Sequence, residues 1–146
     1  MANEWVRNGL KHFGLGDVVW KAAAGSSVKA TLYDAADYTY VNTHEYMNLD
    51  TMLAAAKTAV SAALTLIDAA IDGILDCADF SWSSVTGDES EGIMFWKDGG
   101  GGGTSQSGTT DLLLVKIDTA TGLAVLPNGG NINVTIDSGA NKLAAL

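Results

Sequence analysis

Residues 95–118, "FWKDGGGGGTSQSGTTDLLLVKID", set five consecutive glycines, Gly99–Gly103, between two apolar runs. Such a run serves as a hinge between domains, a cradle for phosphate or the tip of a hairpin, and each choice commits the chain to a different fold. A division at residue 100 leaves residues 101–146 downstream, close to the roughly 40 residues below which a domain usually needs disulfides or metal to fold alone. Cys77 is the one cysteine and cannot close an internal bridge. The hinge is therefore discarded, and residues 1–146 are expected to form a single domain.

A phosphate cradle aims backbone amides and a helix N-terminus at the anion, commonly beside a lysine. Here the glycines lead into "DLLLVKID", a strand pattern, with no Gly-Lys-Ser/Thr unit. The hairpin remains. Gly99–Thr110 is expected to be a flexible loop between strands at Ile93–Lys97 and Asp111–Ile117, and shortening it should barely affect folding, since loop-closure entropy changes slowly with length.

Eight basic against 17 acidic side chains give a formal charge of −9, which repels a nucleic-acid backbone or an anionic membrane surface. Neither is an expected partner. The N-terminal stretch "MANEWVRNGLKHFGLGDVVW" carries charges throughout and predicts no signal peptide, hence synthesis and folding in a cytoplasm. Met52–Leu75 is the most apolar window, but Lys57, Asp68 and Asp72 interrupt it, so no membrane span is expected.

Asn3 is placed to cap a short helix opening at Glu4, with Trp5, Val6, Leu10 and Phe13 near helical spacing and Gly14 or Gly16 ending it. "SSVKATLY" alternates, Val28, Ala30 and Leu32 against Lys29, Thr31 and Tyr33, as a half-buried strand does. "LDTMLAAAKTAVSAALTLIDAAIDGIL" has the alanine content of a helix. Yet Asp68, Asp72 and Asp76 recur every four residues, a spacing that shares one face in a helix and equally in a strand. "FSWSSV", "GIMFWK", "DLLLVKID", "GLAVL" and the alternation of Ile132, Val134 and Ile136 read as strands, and "PNGGN" supplies the positive-φ positions of a tight hairpin.

Catalytic and metal chemistry find little purchase. No Gly-x-Ser-x-Gly elbow occurs, and an enzyme would need a pocket that combines His12 or His44 with acids. "YDAADY" and "GDESEG" cluster carboxylates without the Asp-x-Asp-x-Asp-Gly order of a calcium loop, so no metal or cofactor is expected. Cys77 in "ILDCADF" reads as a small buried thiol. The aromatics Trp5, Trp20, Tyr38, Tyr40, Tyr46 and Trp96 are the candidate interface, since such residues dominate both cores and contacts.

The order of blocks "VKATLYDAADYT", "THEYMN", "DFSWSSVTGDESEGIMFWKD" and "DTATGLAVLPNGGNINVTIDSGANKL", from about residue 6 to 143, resembles a family of small virion structural proteins of tailed bacteriophages. "ADYT", "FSWSSVTGDESE", "IDTATGL" and "PNGGNINV" carry the likeness most specifically. The resemblance implies a mainly β fold: a single-domain antiparallel β-sandwich or barrel-like body with a short N-terminal helix and a long Gly-rich hairpin loop. It implies strands at Val60–Leu66 and Ile71–Leu75. The chain departs from the family in its alanine-rich Met52–Ala56, where a short helix fits, and in ending "NKLAAL" without an aromatic residue.

What the resemblance implies for function is a non-enzymatic capsid decoration or cement protein. Its expected partners are the major capsid protein or other virion proteins, and its place is the virion, after synthesis in the host cytoplasm. A tail, neck or fibre component, or a module binding a host glycan or receptor, are the alternatives. The small glycine-rich body without disulfides also predicts a homo-oligomer, a trimer or dimer, in which shared burial adds stability.

Overall fold

The computed structural model describes residues 3–23, 25–49, 51–68, 73–103, 108–137, 139 and 142–145. Its elements run β1 (Glu4–Trp5), α1 (Arg7–Leu15), β2 (Val28–Tyr33), β3 (Lys57–Val60), β4 (Leu66–Ile67), β5 (Ile74–Cys77), β6 (Phe80–Trp82), β7 (Gly92–Lys97), β8 (Leu112–Ile117), β9 (Ile132–Val134) and β10 (Ala144–Ala145). The fold is mainly β, every strand pair is antiparallel, and one short helix occurs among the described residues.

The largest sheet has the order β1-β8-β7-β2-β3. Its central strands are covered on both faces, which explains the continuous apolar runs "IMFW" and "LLLV". Val28, Ala30, Leu32, Ile93, Phe95, Leu112 and Leu114 face one core with Trp82, Val85 and Cys77. Tyr33, Met94, Trp96 and Leu113 face a second core with Val6, Tyr38, Met47, Met52 and Ala56. The alternation in β2 predicts burial of one side only. Thr31 and Tyr33 on its other side are also buried, and Trp96 Nε1 donates to Thr31 Oγ1 at 2.9 Å inside the second core.

The N-terminal expectation is corrected in detail. Glu4 and Trp5 pair with Lys116 and Val115 of β8, and the helix starts at Arg7 without a side-chain cap. Asn3 instead ties the chain start to the end of β8: its Oδ1 accepts the N–H groups of Asp118 and Thr119, both at 2.9 Å, and its Nδ2 donates to Thr119 C=O. The helix ends as expected at Gly16, left-handed at φ 82°, with Gly16 and Asp17 N–H donating to Phe13 and His12 carbonyls in a Schellman-type closure. α1 lies directly on β8. A Cβ at Gly9 would stand 2.5 Å from Leu113 O.

The alanine-rich segment holds no helix among its described residues. Met52–Ala56 is turn and coil, residues 61–65 lie outside the strands although Ser61 and Leu64 still donate to Ala30 and Val28 carbonyls of β2, and the strands are β3, β4 and β5. Helix propensity loses here because both ends are claimed by ladders: β3 pairs with β2 and β4 with β5. The expected strand Val60–Leu66 is thus displaced to either side of itself. The strand placed at Ile71–Leu75 begins outside the described residues and is seen as β5. β5 also pairs with β10, making a three-stranded sheet.

β6 and β9 form a two-stranded sheet through Phe80↔Val134, Ser81↔Asn133 and Trp82↔Ile132. "GLAVL" is not a strand; it contributes one bridge, Ser90↔Val125. "PNGGN" has Gly129 at φ 85° but is not the expected tight hairpin, because no strand directly precedes it among the described residues and β9 pairs with β6 instead. It is held by Val85, which accepts from Gly129 N–H at 2.8 Å and donates to Gly130 C=O at 2.9 Å.

Candidate functional site

The glycine run is wrapped around two carboxylates. β7 and β8 pair across it as expected, but Gly99–Gly103 is not a loose tip. Gly99 and Gly101 N–H donate to Asp111 Oδ1 at 2.9 and 3.2 Å, and Gly103 N–H donates to Oδ2 at 2.6 Å. The alternate amides of Gly100 and Gly102 turn to Asp98 Oδ1 at 2.8 and 3.3 Å. Successive amides of this kind form an anion-binding nest, and the chain fills it from within. Lys29 Nζ pairs with Asp98 Oδ2 at 2.6 Å, and Lys57 Nζ donates to Gly103 C=O. The Lys29 hydrogen bond, helped by the Gly100 and Gly102 amides, outweighs burial and holds the Asp98 carboxyl below its usual range. Burial lowers Lys57, with Asp111 opposing.

Glycine is favoured along the whole run: Gly100, Gly102 and Gly103 have φ 108°, 64° and 69°, and a Cβ at Gly99 would collide with Thr110 O and one at Gly101 would stand 2.6 Å from Asp111 Oδ2. The expectation that the run tolerates shortening is therefore replaced: Asp111, 1% exposed, depends on it for three hydrogen bonds.

A histidine set among acids beside a cavity, the arrangement an enzyme would need, occurs at His12. Its Nδ1 lies 2.6 Å from Asp17 Oδ2 and its Nε2 2.6 Å from Glu45 Oε1, and it borders a cavity of about 300 Å³ with Lys97, Gly99 and Thr110. Glu45 also accepts from Lys11 Nζ at 2.8 Å. The hydrogen bonds from Lys11 and then His12 hold Glu45 below the usual carboxylate range. Both ring nitrogens are engaged by the chain's own acids. A general base needs one nitrogen facing the substrate, so this geometry acts as a clamp joining α1 to the segment before Tyr46.

His44 stacks on Tyr38 and its Nδ1 lies 3.1 Å from the Tyr38 hydroxyl; burial lowers its pKa. Beside it, Lys116 is buried, paired with Glu4 at 2.8 Å and Asp118 at 2.9 Å and set over the Tyr40 ring. Burial alone lowers its pKa, but Glu4 and Asp118 outweigh it and raise the ammonium. Burial pushes the Cys77 thiol up to about 12, which leaves it a packing residue. In "YDAADY" and "GDESEG" one acid each serves the backbone: Asp34 accepts from Ala36 N–H and Glu91 from Ala35 N–H. No group of three or more His, Cys, Asp or Glu side chains suited to a metal occurs among the described residues.

The six candidate interface aromatics are not brought together. Trp96 is fully buried and Tyr38 is 4% exposed, so these two belong to the second core and are removed from any contact surface. Tyr40 packs against the same core, and its hydroxyl accepts from Arg7 N–H. Trp5, Trp20 and Tyr46 pack at the edge of the first core. Trp5 meets Phe13 edge-on, and Trp20 Nε1 donates to Asp76 C=O at 2.7 Å.

The open surface lies elsewhere. A groove of about 480 Å³ runs between residues 58–62 and 81–86, and a more apolar cleft of about 390 Å³ lies between β9, residues 120–123 and the side chains of Leu32, Trp82 and Ile93. The two share Trp82. Sequence reasoning missed both, because each is built from segments far apart in the chain. No helix among the described residues is long and apolar enough to cross a membrane. Neither protein-family models nor curated proteins gave a match to this chain.

Proposed function

We propose that this chain is a non-enzymatic structural protein of a tailed-bacteriophage virion, a sandwich-like single domain that decorates the capsid and docks on the major capsid protein in many copies. Repeated modest contacts gain strength from copy number and need no site chemistry. One observation supports the reading above the others: three of the four blocks that carry the sequence resemblance most specifically meet in space, while "ADYT" lies apart with Tyr38 in the second core. "FSWSSVTGDESE" is β6 and one wall of the groove, while "IDTATGL" and "PNGGNINV" lead into the adjoining cleft and β9. These three blocks thus border the groove and the cleft. A homo-oligomer, dimer or trimer, belongs to the same proposal.

Cryo-electron microscopy of virions of the encoding virus tests it. Density for this fold on the shell is expected. Density only at the tail replaces decoration with a tail role, and absence from the particle overturns the proposal.

A further inference from the structure

We propose that the groove between β3 and β6 takes up an extended, basic-flanked segment of the partner protein as an added β-strand. The groove separates two strand edges. Among the described residues β3 is the end strand of the large sheet, and β6 is paired with β9 on one side. All residues from Thr58 to Ala62 and from Ser81 to Thr86 line it, regardless of alternation, so backbone as well as side chains forms its walls.

The ladder shows which backbone groups face the groove. Ser61 N–H donates to Ala30 C=O at 2.8 Å, and the next pair along is Thr31↔Val60. In an antiparallel ladder bonded and non-bonded pairs alternate, so the N–H and C=O of Val60 point away from β2. β6 follows the same rule and turns half of its amides away from β9. An extended strand laid along the β3 edge pairs with its outward groups, which is how sheet edges recognise peptides, while residues 81–86 supply the opposite wall.

Chemistry selects the occupant. The groove walls are uncharged and rich in hydroxyls, Ser81, Ser83 and Ser84 among them, which suits small or β-branched side chains. Just beyond one end stand Asp88 and Glu89, and before β6 stands Asp79, all exposed. The chain as a whole carries −9. Lysine or arginine on either side of the inserted strand is complementary to these acids, whereas an acidic segment is disfavoured at this groove. The partner's identity rests on the docking reading above, but the binding chemistry is testable without any particle.

The probe is a synthetic peptide of alternating valine and threonine with lysines at both ends, titrated into the full-length protein and followed by NMR. Saturable binding is expected, with amide shifts confined to residues 58–62 and 81–86, and about tenfold weaker binding when the lysines become glutamates. Val60→Pro removes an outward amide, a change edge strands tolerate, and should abolish binding. A probe N-methylated at alternate residues should fail against the wild-type protein in the same way, which covers the event that V60P perturbs the fold. Equal binding of basic and acidic probes, shifts located elsewhere, undiminished binding of the methylated probe, or no binding at millimolar peptide each overturn the proposal. Finding the protein absent from virions would overturn the decoration reading and leave a positive peptide result standing.

Discussion

Replacing Asp111 tests whether the glycine run is a structural nest. In Asp111→Asn, Oδ1 still accepts from Gly99 and Gly101, but an NH₂ group now faces the Gly103 N–H that Oδ2 held at 2.6 Å. One charge-assisted hydrogen bond is lost, about 1.5–3 kcal/mol, and a buried donor is left unsatisfied, about 1–3 kcal/mol. Relief from burying a charge offsets part of this. A net destabilisation of about 2–3 kcal/mol follows, which for a chain of this size lowers Tm by roughly 6–10 °C. Asp111→Ala removes all three acceptor contacts, but Gly99 and Gly101 are only partly buried and recover water, so about 3–4 kcal/mol is expected rather than a threefold sum. Urea unfolding followed by tryptophan fluorescence reads both variants, with Trp96 packed within 3.1 Å of the position a Gly103 Cβ would take. A D111N variant within about 0.5 kcal/mol of wild type, at unchanged m, refutes the nest, because only surface substitutions are that mild.

Other expectations follow from single contacts. Gly9→Ala would raise intrinsic helix propensity by about 1 kcal/mol, but its Cβ meets Leu113 O at 2.5 Å; thermal melts should show net destabilisation of about 1–3 kcal/mol, and a gain in Tm would refute the contact of α1 with β8. Asp98 has a lowered folded pKa against its usual 3.8, so its contribution is complete above about pH 4 and is lost as pH falls below that; Asp98→Asn should flatten the acid limb of urea midpoints. Burial raises Tyr33 from 10 to about 12, so folded protein holds a proton that the unfolded chain releases and stability should fall from pH 10 towards 12, an effect reduced in Tyr33→Phe. Cys77, 2% exposed, should react with a thiol reagent only on unfolding; rapid labelling of native protein would show that β5 opens locally.

The strands are legible where alternation or a continuous apolar run coincides with a buried face, as at Val28–Tyr33, Ile93–Lys97 and Ile132–Val134. What misleads is composition without partner information. Alanines at 54–56 and 62–63 favour a helix only while no strand edge competes for their backbone, and β2 does compete. "GLAVL" has strand residues but finds one pairing residue, Ser90. Glycines suggest freedom because the sequence does not show where their amides point. The signal is nonetheless present: acids at both ends of the run, Asp98 and Asp111, are the acceptors that a cluster of unencumbered amides requires. Lys116 inside "LLLVKID" is a second signal, since a lysine within a buried strand needs partners, and Glu4 and Asp118 supply them. The interface aromatics illustrate the reverse limit: size and type alone do not separate Trp96, in a core, from an exposed anchor.

The first strand has a temporal consequence. β1 and α1 rest on β8, and Asn3 grips Asp118 and Thr119, so the beginning of the chain finds its place only after residue 119 has left the ribosome. At roughly 5–20 residues per second, that is a wait of about 6–23 s for Trp5, Val6 and Phe13 with their apolar surface uncovered. Docking of β1 and α1 therefore waits for β8, and a nascent-chain arrest series should show protease resistance of this segment appearing abruptly once β8 emerges, not growing from β1 onward.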